Sequence, residues 1–207
     1  IEVKSENLRI GDYLVIPKSL PGLESEQIIN FLEWLPDKAG YYHKGGFIFY
    51  RARCISPAYL KLDNQFCRLL GYYLAEGSAP RHLSIVLNIN EVDLADEIKG
   101  QINKLLRCSI NTQTRGNAYE ITFGTPFLGR IFKNWFGDNA CSKRIPEIIF
   151  NTSEEQKLNF LGAYINGDGG IDKGVKHSRI RIKTASKKLA SDLLYLFSSV
   201  GITARLD

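Results

Sequence analysis

Apolar and polar positions recur along this chain with two periods, near 3.6 and near 2, and the alternation between them lays out its elements. Leu8–Pro17 reads as a Gly11-Asp12 turn followed by a short strand that Pro17 stops. Residues 18–62 are largely irregular. They hold a helix predicted over Glu24–Leu35, ended by Pro36, and then a Gly/aromatic stretch with Tyr41, Tyr42, Gly45, Gly46, Phe47, Phe49 and Tyr50. Asp63 is placed to cap a helix running through Ala75. Over Leu83–Asn90 the period changes to 2. Leu83, Ile85, Leu87 and Ile89 share one side of a strand, and His82, Ser84, Asn88 and Asn90 the other. Leu94, Ile98, Ile102 and Leu105 then form the apolar side of an amphipathic helix. Ser109–Thr114 and Ala118–Gly124 make a hairpin around Arg115-Gly116-Asn117. A helix with Phe127, Leu128, Ile131, Phe132, Trp135 and Phe136 closes at Gly137. Ser153-x-x-Gln156 is a capping-box pattern opening a helix to about Gly167. After a loop come a strand over Lys176–Thr184 and a helix capped by Ser186, carrying Leu189, Leu193, Leu196, Phe197 and Val200 and ending at Gly201.

Two of these helices carry the same nine-residue pattern. One is Leu69-Leu70-Gly71-Tyr72-Tyr73-Leu74-Ala75-Glu76-Gly77, the other Leu161-Gly162-Ala163-Tyr164-Ile165-Asn166-Gly167-Asp168-Gly169. In both copies the order is helix, strand, helix, with the motif helix first, and the acids are 92 residues apart. One module is therefore duplicated, since a solenoid has a shorter period. Gly71 and Ala75 lie on one helix face, as do Ala163 and Gly167. Small residues so placed let two helices pack almost backbone to backbone. Their ends then converge and bring Glu76 beside Asp168. Two close carboxylates repel unless a cation lies between them. Hard oxygen ligands favour Mg²⁺, and such a site suits phosphodiester hydrolysis. A single acid-glycine helix end would read as ordinary structure; two in register point to a site.

Charge sharpens the picture. Net charge is +5 and the isoelectric point is near 9.0. From Lys173 to Lys188 there are seven Lys/Arg and no Asp/Glu. Arg179, Arg181 and Lys183 alternate with Ile180 and Ile182, so one strand face is basic and the other apolar. Such a sheet can lie in a DNA major groove. In the first copy the outward residues are Asn88, Asn90, Asn111, Gln113 and Arg115, side-chain types able to read base edges bidentately. For Asn88 and Gln113 an ordinary solvated face explains the residue equally well. Lys143, in the Cys141-Ser142-Lys143-Arg144-Ile145-Pro146 segment between the copies, is either a surface charge or a group reaching the scissile phosphate or a metal-bound water. His43, His82 and His177 show no ligand spacing, and Cys54, Cys67, Cys108 and Cys141 show none of the zinc patterns, reading as buried free thiols. No apolar run approaches the roughly 20 residues of a membrane helix. The start, Ile1-Glu2-Val3-Lys4, lacks a secretory layout, and the chain contains no Met, as in a segment of a longer polypeptide.

The two nine-residue motifs, with Lys143-Arg144-Ile145-Pro146, closely resemble the LAGLIDADG family of homing endonucleases, in particular the two-motif kind inserted in inteins. Leu8–Pro17 resembles the part of an intein splicing domain that leads into its endonuclease. The resemblance implies an α+β fold of two pseudo-symmetric αββαββα halves, the second incomplete here. It divides the chain into a splicing-domain fragment (1–17), a linker or accessory region (18–62), a first half (63–150) and a truncated second half (151–207). It implies that Glu76 and Asp168 bind Mg²⁺ or Mn²⁺, that Lys143 assists catalysis, and that Arg179, Arg181, Lys183, Asn88, Asn111, Gln113 and Arg115 contact double-stranded DNA at a long recognition site. The product would carry short 3′ overhangs. The protein would be an intracellular, cytoplasmic monomer with internal pseudo-two-fold symmetry, flanked by splicing segments in its parent chain.

Glu76 stands where the family has aspartate, which keeps a carboxylate; Asn166 stands in place of an earlier, structural acid. The second catalytic lysine of the family has no counterpart, and neither have the residues that splice. Two other functions fit the same fold: a non-catalytic DNA-binding module, whether a decayed endonuclease or a regulator, and an RNA maturase.

Overall fold

A computed structural model describes residues 7, 27–35, 40–173 and 178–206. Its first part is a small β-region. β1 (Ile28–Asn30) pairs antiparallel with β5 (Tyr59–Lys61), and β2 (Tyr41–Lys44), β3 (Phe47–Tyr50) and β4 (Arg53–Pro57) form an antiparallel meander. The Gly45-Gly46 turn joining β2 to β3 has positive φ at both residues, the type I′ geometry that glycine adopts without steric cost. The helix expected over Glu24–Leu35 is not formed in the described part of that span. Ile28–Asn30 is a strand and Phe31–Trp34 a single 3₁₀ turn capped by the Asn30 side chain. Phe31 is fully buried and stacks on Trp135 at 6.2 Å, so tertiary packing overrides the local helical pattern. The described part of residues 18–62 is thus less irregular than the sequence suggests. The strand expected at Leu8–Pro17 lies outside the described residues.

The rest follows one plan twice. α1 (Asn64–Glu76), β6 (Gly77–Ser78), β7 (Leu83–Asn88), α2 (Val92–Leu106), β8 (Ile110–Arg115), β9 (Ala118–Phe123) and α3 (Pro126–Phe136) form the first αββαββα half. A short α4 (Glu147–Phe150) leads to α5 (Glu154–Asp168), β10 (Gly169–Lys173), β11 (Ser178–Ile182) and α6 (Lys187–Ser199), the second copy cut to αββα. The fold class expected from the sequence is the one observed. Asp63 accepts from the Phe66 amide, Ser153 and Gln156 form the reciprocal capping box, and Ser186 accepts from the Leu189 amide. Gly137 ends α3 with φ +92.

The first-half sheet has strand order β6-β7-β9-β8, all antiparallel. Leu83, Ile85, Ile121 and Phe123 point inward with 0–2% exposure against α1, α2 and α3. Three expectations need correcting. β7 stops at Asn88, so Ile89, at 40% exposure, sits in the following turn and not in the core. Where a loop was expected after Asp168 the chain forms a strand: β10 begins directly after Asp168 and pairs with β11, as β6 does with β7, and residues 174–177 lie outside the described residues. Ile180, expected on an apolar face, is 58% exposed. Its counterpart by register is Leu83, which pairs with Phe123 of β9 and is fully buried. Among the described residues the second copy has no equivalent of β9 to cover Ile180. The cysteines are free as expected, but only Cys67 is buried; Cys54 and Cys141 are exposed.

Candidate active site and sheet face

The site is built by the contact between α1 and α5. A Cβ on Gly71 would stand 2.2 Å from the Phe160 carbonyl oxygen and 2.9 Å from the Ala163 Cβ. A Cβ on Gly167 would stand 2.6 Å from the Ala75 Cβ. Real Cβ atoms do not come so close, so glycine is required at both positions for the helices to touch as they do. Gly71, Ala75, Ala163 and Gly167 are the four residues whose spacing predicted the contact.

This contact brings the helix ends together. The place of a Gly167 Cβ is 3.7 Å from Glu76 Oε1, next to Asp168. The charges interact as expected. Burial, then the Asp168 charge, raises the Glu76 carboxyl above the ordinary carboxylate range, with Lys143 opposing and Glu91 adding to the rise. Burial also raises Asp168, opposed by Lys143 and by the Tyr164 hydroxyl. The Tyr164 hydroxyl is itself buried and has no hydrogen-bond partner at normal geometry.

Lys143 is not a surface charge. Its ammonium donates to the Leu74 and Ala75 carbonyls, both at 2.8 Å, at the C-terminal end of α1. Its backbone is held from the other side. The Ser186 hydroxyl donates to the Lys143 carbonyl at 2.6 Å, and the buried Asp192 carboxylate accepts from the Ile145 amide at 3.1 Å. Ser186 was legible only as a helix cap, while Asp192, Tyr164 and Glu91 carried no signal in the sequence. Ser186, Asp192 and Glu91 matter here through residues distant in the chain, and Tyr164 through Asp168, one helical turn away.

The two hard carboxylates, both raised toward protonation, form an oxygen donor pair that fits a divalent cation, whose charge would relieve the repulsion; the Lys143 ammonium beside them has no lone pair and is not a ligand. Among the described residues no third His, Cys, Asp or Glu joins the pair as a ligand cluster.

The antiparallel register collects the polar positions of the first half on one sheet face. Ser84 is opposite Thr122 and Asn111, Val86 opposite Glu120 and Gln113, and Asn88 opposite Ala118 and Arg115. Asn111, Gln113 and Arg115 are exposed, with Arg115 donating to Gln113 at 2.9 Å. Asn88 is exposed too, but its side-chain oxygen accepts from the Asn90 amide and so holds the turn after β7; Asn90 belongs to that turn. Glu120 in the middle of the face accepts from Ser84. In the second copy Arg179 and Arg181 are exposed on the same face of β11, and Lys183 follows the strand end, also exposed. His82 lies 3.4 Å from the Gly124 carbonyl, a tie between turns; His177 lies outside the described residues. No helix among the described residues is long and apolar enough to cross a membrane.

Comparison with known proteins agrees with this architecture. Residues 155–207 match the family model of a LAGLIDADG-like domain. An uncharacterised protein of Methanocaldococcus jannaschii is 33% identical over 72% of this chain and 18% of its own length. A DNA polymerase of Thermococcus litoralis is 30% identical over 86% of this chain and 10% of its own. A DNA-directed RNA polymerase subunit of M. jannaschii is 27% identical over 98% of this chain and 23% of its own. The chain thus spans less than a quarter of each of these relatives. Among solved structures, the homing endonuclease I-DmoI in complex with DNA and Mn superposes with a TM-score of 0.50 at 16% identity, over 70% of this chain and 82% of that one.

Proposed function

We propose that this chain, a protein of LAGLIDADG homing endonuclease fold whose residues 155–207 match that family, cuts double-stranded DNA at a long specific site as the nuclease part of an intein. The observation that carries the reading is the Gly71/Gly167 helix contact, which puts Glu76, Asp168 and Lys143 at one point between two sheet regions with polar and basic outer residues. A stretch shared with a DNA polymerase and with an RNA polymerase subunit, and making up a small part of each, supports an element inserted into unrelated hosts. On this reading residues 1–17 are a splicing-domain fragment, 18–62 an accessory linker, 63–150 the first half and 151–207 the second. The protein works as a monomer in the cytoplasm, where its DNA target is.

Glu76 and Asp168 hold Mg²⁺ or Mn²⁺ through their carboxylates. When bound, the metal acidifies water and stabilises charge on the leaving oxygen. Lys143 keeps positive charge beside the pair and ties the end of α1, so the Glu76 carboxylate stays beside Asp168. Arg179, Arg181 and Lys183 contact DNA phosphates and fix position; Asn111, Gln113, Arg115 and Asn88 face the bases from the first sheet. Ser186 and Asp192 position Lys143 through its backbone.

The test is cleavage of duplex DNA spanning the host gene's insertion point, with the insertion removed, in Mg²⁺. Cutting by the native chain and not by Asp168→Asn is expected. Tight, salt-sensitive binding without cutting would replace the reading with a non-catalytic DNA-binding module. Tighter binding to a structured intron RNA than to the duplex would replace it with a maturase.

A further inference from the structure

A second cationic feature lies away from the carboxylates and has no part in the mechanism above. The tip of the β6–β7 hairpin, the exposed side of α3 and Tyr41 of the meander enclose an open cleft of about 370 Å³. Its lining includes Arg81 from the tip and Arg130 and Lys133 from α3, together with Pro126, Gly129 and Tyr41, and it has no acidic residue. Arg81 and Arg130 gather positive charge in a cleft whose own lining carries no acid, with Lys133 beside them. Among the described residues no ion pair is recorded for the guanidinium of Arg81 or of Arg130, whereas Lys133 bonds Asp138 at 3.1 Å.

The cleft is built, not incidental. A Cβ on Gly129 would be 2.6 Å from the Arg81 carbonyl oxygen, so α3 and the hairpin tip touch backbone to backbone there. That contact brings Arg81 to the row formed by Pro126, Arg130 and Lys133, positions four and three apart and therefore on one helix face. Tyr41 closes the third side, held by Phe127 at 5.7 Å and Tyr50 at 4.7 Å between ring centroids. The N-terminal end of α3, with its partial positive charge, opens into the same space.

Position selects the ligand. β6 starts at the residue after Glu76 and leads to the tip at 79–82, so the tip lies on the side of the sheet leading away from the carboxylates. The outward row nearest the tip is Ser84, Thr122 and Asn111. The cleft therefore lies beside the end of that outward face farther from the carboxylates. We infer that the Arg81–Arg130–Lys133 cleft binds the phosphate backbone of the DNA flank beyond the sheet, giving affinity without sequence preference. This rests on the DNA-binding reading above, and its test separates the two.

Dissociation constants are measured against salt concentration, without divalent metal, for a long duplex of arbitrary sequence and for a short one no longer than the sheet face. The proteins compared are the parent, Arg81→Gln/Arg130→Gln, and a charge-matched control, Lys99→Gln/Lys104→Gln on α2. Each phosphate contact adds about 0.9 to the slope of log affinity against log salt. The cleft pair is expected to lower that slope by about one to two on the long duplex and to leave the short duplex unchanged, with the control pair near the parent. Equal losses on both duplexes, equal losses in the control, or an unchanged slope would overturn the cleft assignment while parent binding keeps the DNA reading intact. No salt-dependent binding by the parent would overturn both. Thermal melts of the two variants matching the parent confirm that binding and not folding is being read.

Discussion

Gly167→Ala tests the helix contact on which the site depends, through a collision that can be moved to the other helix. The new Cβ would start 2.6 Å from the Ala75 Cβ, against an ordinary carbon contact near 3.5–4.0 Å, so α1 and α5 must separate by about 1 Å. Overpacking of this kind costs about 1–3 kcal/mol, and the better helix propensity of Ala over Gly returns up to about 1 kcal/mol. The net expectation is a loss of about 1–2 kcal/mol, or about 2–8 °C in melting temperature for a chain of this size. Ala75→Gly alone should also destabilise, since it removes a buried methyl and puts Gly in a helix. In Ala75→Gly/Gly167→Ala the two propensity changes cancel and the methyl has crossed to the other helix. That double variant should return close to the parent, giving a favourable coupling of about 1–3 kcal/mol in a double-mutant cycle by urea denaturation. Additive losses in the double variant, or a Gly167→Ala chain as stable as the parent, would refute the close approach. Gly71→Ala offers no such rescue, because it meets the backbone oxygen of Phe160.

Other outcomes follow from the site. Asp168→Asn should abolish cleavage and, with DNA binding measured free of divalent metal, should not weaken the dissociation constant, since it removes a metal ligand and a negative charge but no DNA contact; loss of that metal-free binding would remove Asp168 from the metal role. Lys143→Gln should lower the cleavage rate by about 10²-fold or more, with binding retained, as expected for a charge acting near the reacting phosphate; single-turnover kinetics would show it. The raised Glu76 carboxyl makes ionisation costly to the fold: its stabilising contribution is full below the ordinary carboxylate range, near pH 4.3, and is lost as pH rises through the raised value. Metal-free Glu76→Gln should therefore lose less melting temperature than the parent between acidic and neutral pH, and a parallel pair of curves would contradict the assignment. Arg181→Ala should lower the salt slope of DNA binding by about 0.9; an unchanged slope would remove β11 from the interface.

What could be read from the sequence depended on how far apart the interacting residues lie. The capping residues Asp63, Ser153 and Ser186 act on amides three residues away, so their roles were readable directly. The α1–α5 contact spans about half the chain, yet it was legible because the duplication displays the same small-residue spacing twice. The placement of Lys143 was not legible. It depends on carbonyls at the end of α1 and on Ser186 and Asp192 from α6, and neither attachment has a periodic signature. The failed helix at Glu24–Leu35 shows the opposite limit. Its local pattern is helical, but Phe31 is drawn into the aromatic cluster with Trp135, over a hundred residues away, and the chain takes a strand and a 3₁₀ turn to reach it. Exposure of Ile180 was equally hidden, because alternation assigns a residue to a face without saying whether anything covers that face.

Both motif helices end at the carboxylates, and this has an electrostatic consequence. The C-terminal end of an α-helix carries a partial negative charge, so α1 and α5 each add such a charge to the one on their terminal acid. Lys143 answers part of this on α1, through the Leu74 and Ala75 carbonyls. The point where the scissile phosphates would lie is thus intrinsically repulsive to a polyanion. A cation there and a duplex across it must then favour each other, and thermodynamic reciprocity makes the effect equal in both directions. The apparent metal affinity should rise on DNA by the same factor by which metal tightens DNA. The fold itself, by directing two helix dipoles at one spot, thus makes catalytic readiness conditional on the simultaneous presence of both ligands.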